Sequence, residues 1–304
     1  MNSLAGIPVI DAHHHLWQLS AVPYPWLQAK GVRRFFGDPT PIQRDYRAED
    51  LRADAGALDL RGSVHIQVGA APGAELAETE WLEREADRTG LPSAIVAFCD
   101  LSHADAPRML ERQRAHGRVR GIRQIVGRSP EEDAATGSGA LLDDPVWRAN
   151  LARLPALGLS FDLQAIPSQL ERCAEVLAGI PDLDVALCHA GSPWGFPWHG
   201  QPEEFKRWRR GIQALARLPR VRAKLSGLAM FRHGWSLADI RPIADTLLEA
   251  FGPERLMLGS NFPVDGLHKP YRHVWDGYAA VLTGLSRDEL ARVAGGTAVD
   301  FYRL

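Results

Sequence analysis

Eight short apolar runs rich in β-branched residues, each followed by a longer charged segment, constrain this chain more than any other feature of it. The runs are Pro8–Ala12, Ser63–Val68, Ala94–Phe98, Val119–Ile125, Leu159–Leu163, Val185–Cys188, Val221–Leu225 and Leu256–Gly259. Alternation of this kind specifies repeated βα units rather than a sandwich or a bundle. Helices are expected at Leu76–Arg88, Pro107–His116, Pro145–Leu154, Pro167–Ala178, Glu203–Leu218, Leu237–Phe251 and Tyr271–Leu282. Several of these open with proline or an acidic turn and close near glycine. Eight units close a (β/α)8 TIM barrel of the α/β class, and 304 residues suit one barrel of about 250 residues with long loops. A single domain over 1–304 is therefore expected. The segment 17–45 breaks the alternation: it is aromatic, proline-rich and too long for a plain connection, which marks a functional loop after strand 1.

Composition narrows the partners. A formal charge of −2 offers no basic excess for nucleic acid or an anionic membrane, so a small-molecule substrate is expected. No apolar run approaches the roughly 20 residues that span a bilayer. Met1 to Ile10 lacks the basic start and apolar stretch of a signal peptide, and Cys99, Cys173 and Cys188 lie in or beside apolar runs without a C-x-x-C pair. Buried, inert thiols and a cytoplasmic location are the expectation. Barrels of this size commonly form homodimers, but no hydrophobic stripe singles out an interface.

The chemistry concentrates where the runs end: His13 and His15, Gln67, Asp100, Arg123, Gln164, His189, Lys224 and Asn261. In a parallel barrel these ends converge on one face, where barrel enzymes place their active sites. In Asp11-Ala12-His13-His14-His15, the first and third histidines share one side of an extended strand and His14 faces the other. Two imidazoles on one side can chelate a divalent cation or polarise a carbonyl together, and His189, closing the sixth run before Gly191, can join them. Solvated or core histidines are the bland reading, weakened by the coincidence of the two sites. Arg123 and Lys224 offer positive charge to a carboxylate or a polyhydroxylated acid derivative, the alternative being salt bridges between strand ends and loops. Trp17, Trp26, Trp194, Trp198 and Trp235 fall on top-face loops, where they stack on a ligand or anchor the loop.

Asp11–Trp17 with Tyr24-Pro25-Trp26-Leu27, Val119–Arg123, His189-Ala190-Gly191, Lys224–Leu228 and Gly259-Ser260-Asn261-Phe262-Pro263 resemble the amidohydrolase 2 family, in order and through Phe301–Leu304. Within it the chain is most similar to the branch of sugar lactonases and 2-pyrone-4,6-dicarboxylate lactonase. The resemblance implies a barrel hydrolase that opens a lactone. It also implies roles for His13 and His15 as the first-strand pair and for His189 as the sixth-strand histidine. Asn261 stands where the family carries a base-forming aspartate, and an amide has no useful proton affinity. Asp265, four residues on, or one of the histidines is the expected replacement base.

The site set is therefore catalytic His13, His15, His189, Asn261 and Asp265, with Arg123, Lys224, Trp26 and Gln67 binding substrate. His13, His15 and His189 would hold at most one weakly bound zinc or manganese ion, or none, since no lysine after the fourth strand suggests a carbamylated dinuclear centre. The expected substrate is an anionic or polyhydroxylated small ester, a sugar-acid lactone or an aromatic-degradation intermediate. The alternatives are an aromatic-acid decarboxylase and a catalytically silent sugar-acid binding protein.

Overall fold

The structure is a computed structural model that describes residues 4–304; the first three residues of the expected domain lie outside the described part. All eight expected strands form, as β1 (Val9–His14), β2 (Leu60–Ile66), β3 (Ala94–Ala97), β4 (Val119–Ile122), β5 (Ser160–Leu163), β6 (Val185–Leu187), β7 (Val221–Leu225) and β8 (Leu256–Leu258). They pair in parallel in sequence order. Beyond the ends of the last pair the Asn261 N–H donates to the His13 carbonyl (2.7 Å) and the His15 N–H to the Phe262 carbonyl (2.8 Å), drawing the barrel closed. The residues that join the first strand to the last thus include the histidines and the asparagine singled out by sequence. All seven expected helices are present with ends shifted by a few residues, such as Glu75–Thr89 and Leu170–Ala178. The loop 17–45 holds only a four-residue helix, Pro25–Gln28, and a short 3-10 turn, Thr40–Ile42.

Two apolar layers hold the barrel. Val9, Ile95, Ile122, Phe161, Leu187 and Leu258 pack outward against the helices. Ile10, Ala12, Val64, Ile66, Ala94, Val96, Ala186 and Met257 fill the interior together with Ala298, Phe301 and Tyr302 of the last helix, Thr297–Tyr302, which plugs the bottom. Period-2 alternation would carry Asp11 and His13 to the same side, but the register shifts between them. Asp11 pairs with Ser63 and His14 with His65, so three residues of β1 span two of β2. This bulge leaves Asp11 facing outward, where it accepts from the Ser260 N–H (2.9 Å) and the Tyr271 hydroxyl (2.9 Å), and turns His13 inward. All three cysteines are buried and free, as expected.

Glu78 fastens the helix after β2 to the strand end, its Oε1 accepting the Val68 N–H at 3.0 Å. Burial raises its carboxyl from 4.5 to about 7. A raised carboxyl keeps its proton in the folded state while the unfolded chain ionises. Stability therefore falls between about pH 4.5 and 7, by up to about 3 kcal/mol. Glu78→Gln keeps the acceptor and removes the titration. Its urea midpoint should match the wild type below pH 4.5 and exceed it above pH 7; parallel midpoints from pH 4 to 8 would show that Glu78 ionises freely.

Candidate active site

A cavity of about 540 Å³ opens at the C-terminal ends of the strands. Its floor carries His15, Gln67, Arg123, Gln164, His189 and Asn261, while Trp26, Arg34 and Phe36 of the loop 17–45 form one wall and Arg128 and Met230 others. Trp26 is braced by its indole N–H on the Val68 carbonyl at 2.8 Å. The remaining four tryptophans of the top-face loops anchor structure: Trp17 donates to the Arg44 carbonyl, Trp194 to that of Arg128 and Trp198 to that of Trp194, while the buried Trp235 stacks on Tyr278.

The two cavity histidines are locked from behind. His15 Nδ1 lies 2.7 Å from the Ile66 carbonyl and Nε2 3.2 Å from Asn261 Oδ1. His189 Nδ1 lies 3.1 Å from Ser226 Oγ, which leaves Nε2 for the cavity. Burial, reinforced by Arg123, holds both rings below the usual imidazole range, His15 at about 3 and His189 also well down, so both are neutral at pH 7. His189 and Asn261 adopt left-handed backbone at φ 51° and 57°. Such strain at non-glycine residues concentrates at functional sites, and asparagine tolerates it better than histidine. Two glycines make room: a Cβ on Gly227 would stand 2.3 Å from His189 Nδ1, and one on Gly259 2.6 Å from His13 Cβ. His14 faces away, its ring edge-on to His65.

Four expectations change on this geometry. Lys224 does not reach the cavity: it is fully buried and ion-paired with Asp162, whose carboxylate also accepts from the Tyr302 hydroxyl. An inward lysine and an inward aspartate two strands apart neutralise each other inside the barrel. Asp265 is no free base either, since its Oδ1 accepts from Asn261 Nδ2 (2.8 Å) and its Oδ2 from the Ala229 N–H (3.1 Å), and it is buried outside the cavity lining. His13 lies below the floor, its ring centre 4.3 Å from that of His189 and its Nε2 3.4 Å from Arg123 Nη1.

The metal set changes last. Among the described residues, the group whose ligand atoms all lie within 4.8 Å of one another is His13, Asp162 and Cys188, not the three histidines. Nitrogen, oxygen and sulfur donors suit zinc in type. Asp162 is already neutralised by Lys224 and His13 Nε2 faces the Arg123 guanidinium, so a divalent ion would be a third cation in this space. The residues as placed do not fit it. Sequence reasoning passed over Arg34, Arg128 and Met230 in the wall and Ser226 behind His189; a loop arginine or methionine carries no periodic signal that aims it at a cavity.

A barrel whose strand ends gather neutral histidines, an arginine and amides around one cavity defines an enzyme of the (β/α)8 class. The chain belongs to the amidohydrolase family, whose model matches residues 10–304. It is 32% identical to an L-fucono-1,5-lactonase of Burkholderia multivorans, over 97% of this chain and 96% of the relative. It is 34% identical to the uncharacterized protein y4mH of Sinorhizobium fredii, over 99% and 100%. A crystal structure of an amidohydrolase from Burkholderia multivorans with bound zinc superposes with a TM-score of 0.80 at 28% identity, over 98% and 99% of the chains. Among the described residues, no helix is long and apolar enough to cross a membrane.

Proposed function

We propose that this enzyme hydrolyses a lactone of a polyhydroxylated sugar acid. The observation that carries the reading is the pairing, on one cavity floor, of a neutral His189 with an Arg123 whose Nε is buried without a partner. As the charge developing on the carbonyl oxygen offsets that of Arg123 and restores the basicity of the ring, His189 Nε2 takes a proton from water while the water oxygen attacks the lactone carbonyl carbon. Arg123 holds the negative charge that develops on the carbonyl oxygen. The ring C–O bond then breaks, and the proton on His189 passes to the departing ring oxygen, giving the open hydroxy acid. Gln67 Oε1 and Gln164 Oε1 are likewise buried without partners. Two unsatisfied amide oxygens fit hydroxyl donors on a substrate and favour a sugar lactone over an aromatic acid. The lactonase relatives support the same reading.

Hydrolysis of an uncharged lactone releases one proton per turnover at neutral pH, so a panel of aldonolactones in a pH-stat tests the proposal. Turnover should appear for at least one aldonolactone. No turnover of any, with carbon dioxide released from hydroxybenzoates, would replace the lactonase by a decarboxylase.

A further inference from the structure

Among the described residues the cavity lining carries three arginines, Arg34, Arg123 and Arg128, and one acidic residue, Asp100, which is turned aside to the Ser102 and Gln124 side chains. Two of the arginines are answered from just outside the lining. Arg34 Nε and Nη2 grip Glu132 Oε1 and Oε2 at 3.2 and 2.8 Å, a two-pronged pair, and Arg128 Nη1 lies 3.6 Å from the same Oε2. Arg34 comes from the loop after β1, with its guanidinium 5.7 Å from the Trp26 ring centre, and Glu132 from the helix Pro130–Thr136 after β4. Without Glu132 this wall would present two adjacent guanidiniums, an arrangement suited to binding a carboxylate.

We propose that Glu132 fills this anion site from within the chain and thereby selects uncharged polyhydroxylated lactones over lactones bearing a free carboxylate. The inference rests on the lactonase reading and narrows its substrate class. Arg123 remains the cation for the reacting carbonyl. A second anionic group on the substrate meets the Glu132 carboxylate instead of a vacant pair of arginines.

Galactono-1,4-lactone and galactaro-1,4-lactone differ only in a hydroxymethyl group against a carboxylate, which makes them a matched pair of probes. The wild type should favour the neutral lactone in kcat/KM. Glu132→Gln should shift the ratio toward the carboxylated lactone by about tenfold or more, and adding Arg34→Gln should take most of that shift away. Calorimetry with the open acids, galactonate and galactarate, reads the same selection without catalysis: Glu132→Gln should gain affinity for galactarate alone. A wild type that favours the carboxylated lactone, or a Glu132→Gln variant whose ratio and galactarate affinity both stay fixed, overturns the proposal. If neither lactone turns over, the calorimetric arm still decides on Glu132, while the lactonase reading stands or falls separately on the aldonolactone panel.

Discussion

Replacing Arg123 with methionine should lower kcat/KM for the lactone by about 10²–10³-fold and at the same time raise the melting temperature. Both signs follow from one fact. Arg123 is 6% exposed, its Nε has no partner, and its Nη1 makes a long 3.4 Å approach to His13 Nε2. A guanidinium so placed lacks a paired carboxylate, because Asp162, the nearest candidate inside the barrel, belongs to Lys224. Burying a charge without a partner opposes folding, and an apolar side chain of similar length relieves that cost. In the reaction the same unpaired charge is an asset, since it is already desolvated and need not reorganise when the carbonyl oxygen becomes negative. Arg123→Lys keeps the charge but loses the planar fork, and should fall between the wild type and the methionine variant. Steady-state kinetics with differential scanning fluorimetry reads both effects. A methionine variant that melts well below the wild type would make Arg123 a structural residue and leave the oxyanion without its donor.

The barrel was legible because its signal is repeated. β7 at Val221–Leu225 and the helix Leu237–Phe251 fall where the apolar pattern places them, and an error at one strand end does not alter the count of eight. The strand-end residues were legible for the same reason: closing a parallel barrel forces His15, Gln67, Arg123, Gln164, His189 and Asn261 onto one rim. What the pattern could not show is depth. His13 and Lys224 end runs as His15 and Arg123 do, yet both sit below the floor, one turned by a bulge in β1 and the other held by Asp162. Nor could it show pairings across loops: Arg34 and Glu132 are 98 residues apart and meet only because the loops after β1 and β4 meet over the cavity.

Asn261 should prove the sensitive member of the pair it forms with Asp265, reversing the order expected from sequence. His15 Nδ1 must donate to the Ile66 carbonyl, so its Nε2 can face the Asn261 oxygen only if the ring carries a second proton. Burial that holds His15 near 3 forbids that charge. Turning the amide over resolves the conflict: its NH2 then donates to His15 Nε2, and its oxygen accepts a proton from Asp265, whose carboxyl burial raises to about 7. Asp265 on this account acts as a protonated hydrogen-bond donor that orients Asn261. The second amide N–H is left for the cavity that Arg123 also lines, where it can donate to the developing oxyanion. Asp265→Asn retains both a donor for Asn261 and an acceptor for the Ala229 N–H, and should cost less than about tenfold in kcat, whereas Asn261→Ala removes an oxyanion donor and should cost about 10²-fold or more. Asn261→Asp tests the metal question at the same position. A carboxylate there stands beside His15 and within the cavity that His189 faces, so calorimetry should detect zinc binding by the variant that the wild type does not show. A silent Asn261→Ala with a dead Asp265→Asn would restore Asp265 as the base, and with it a route for its proton through the floor.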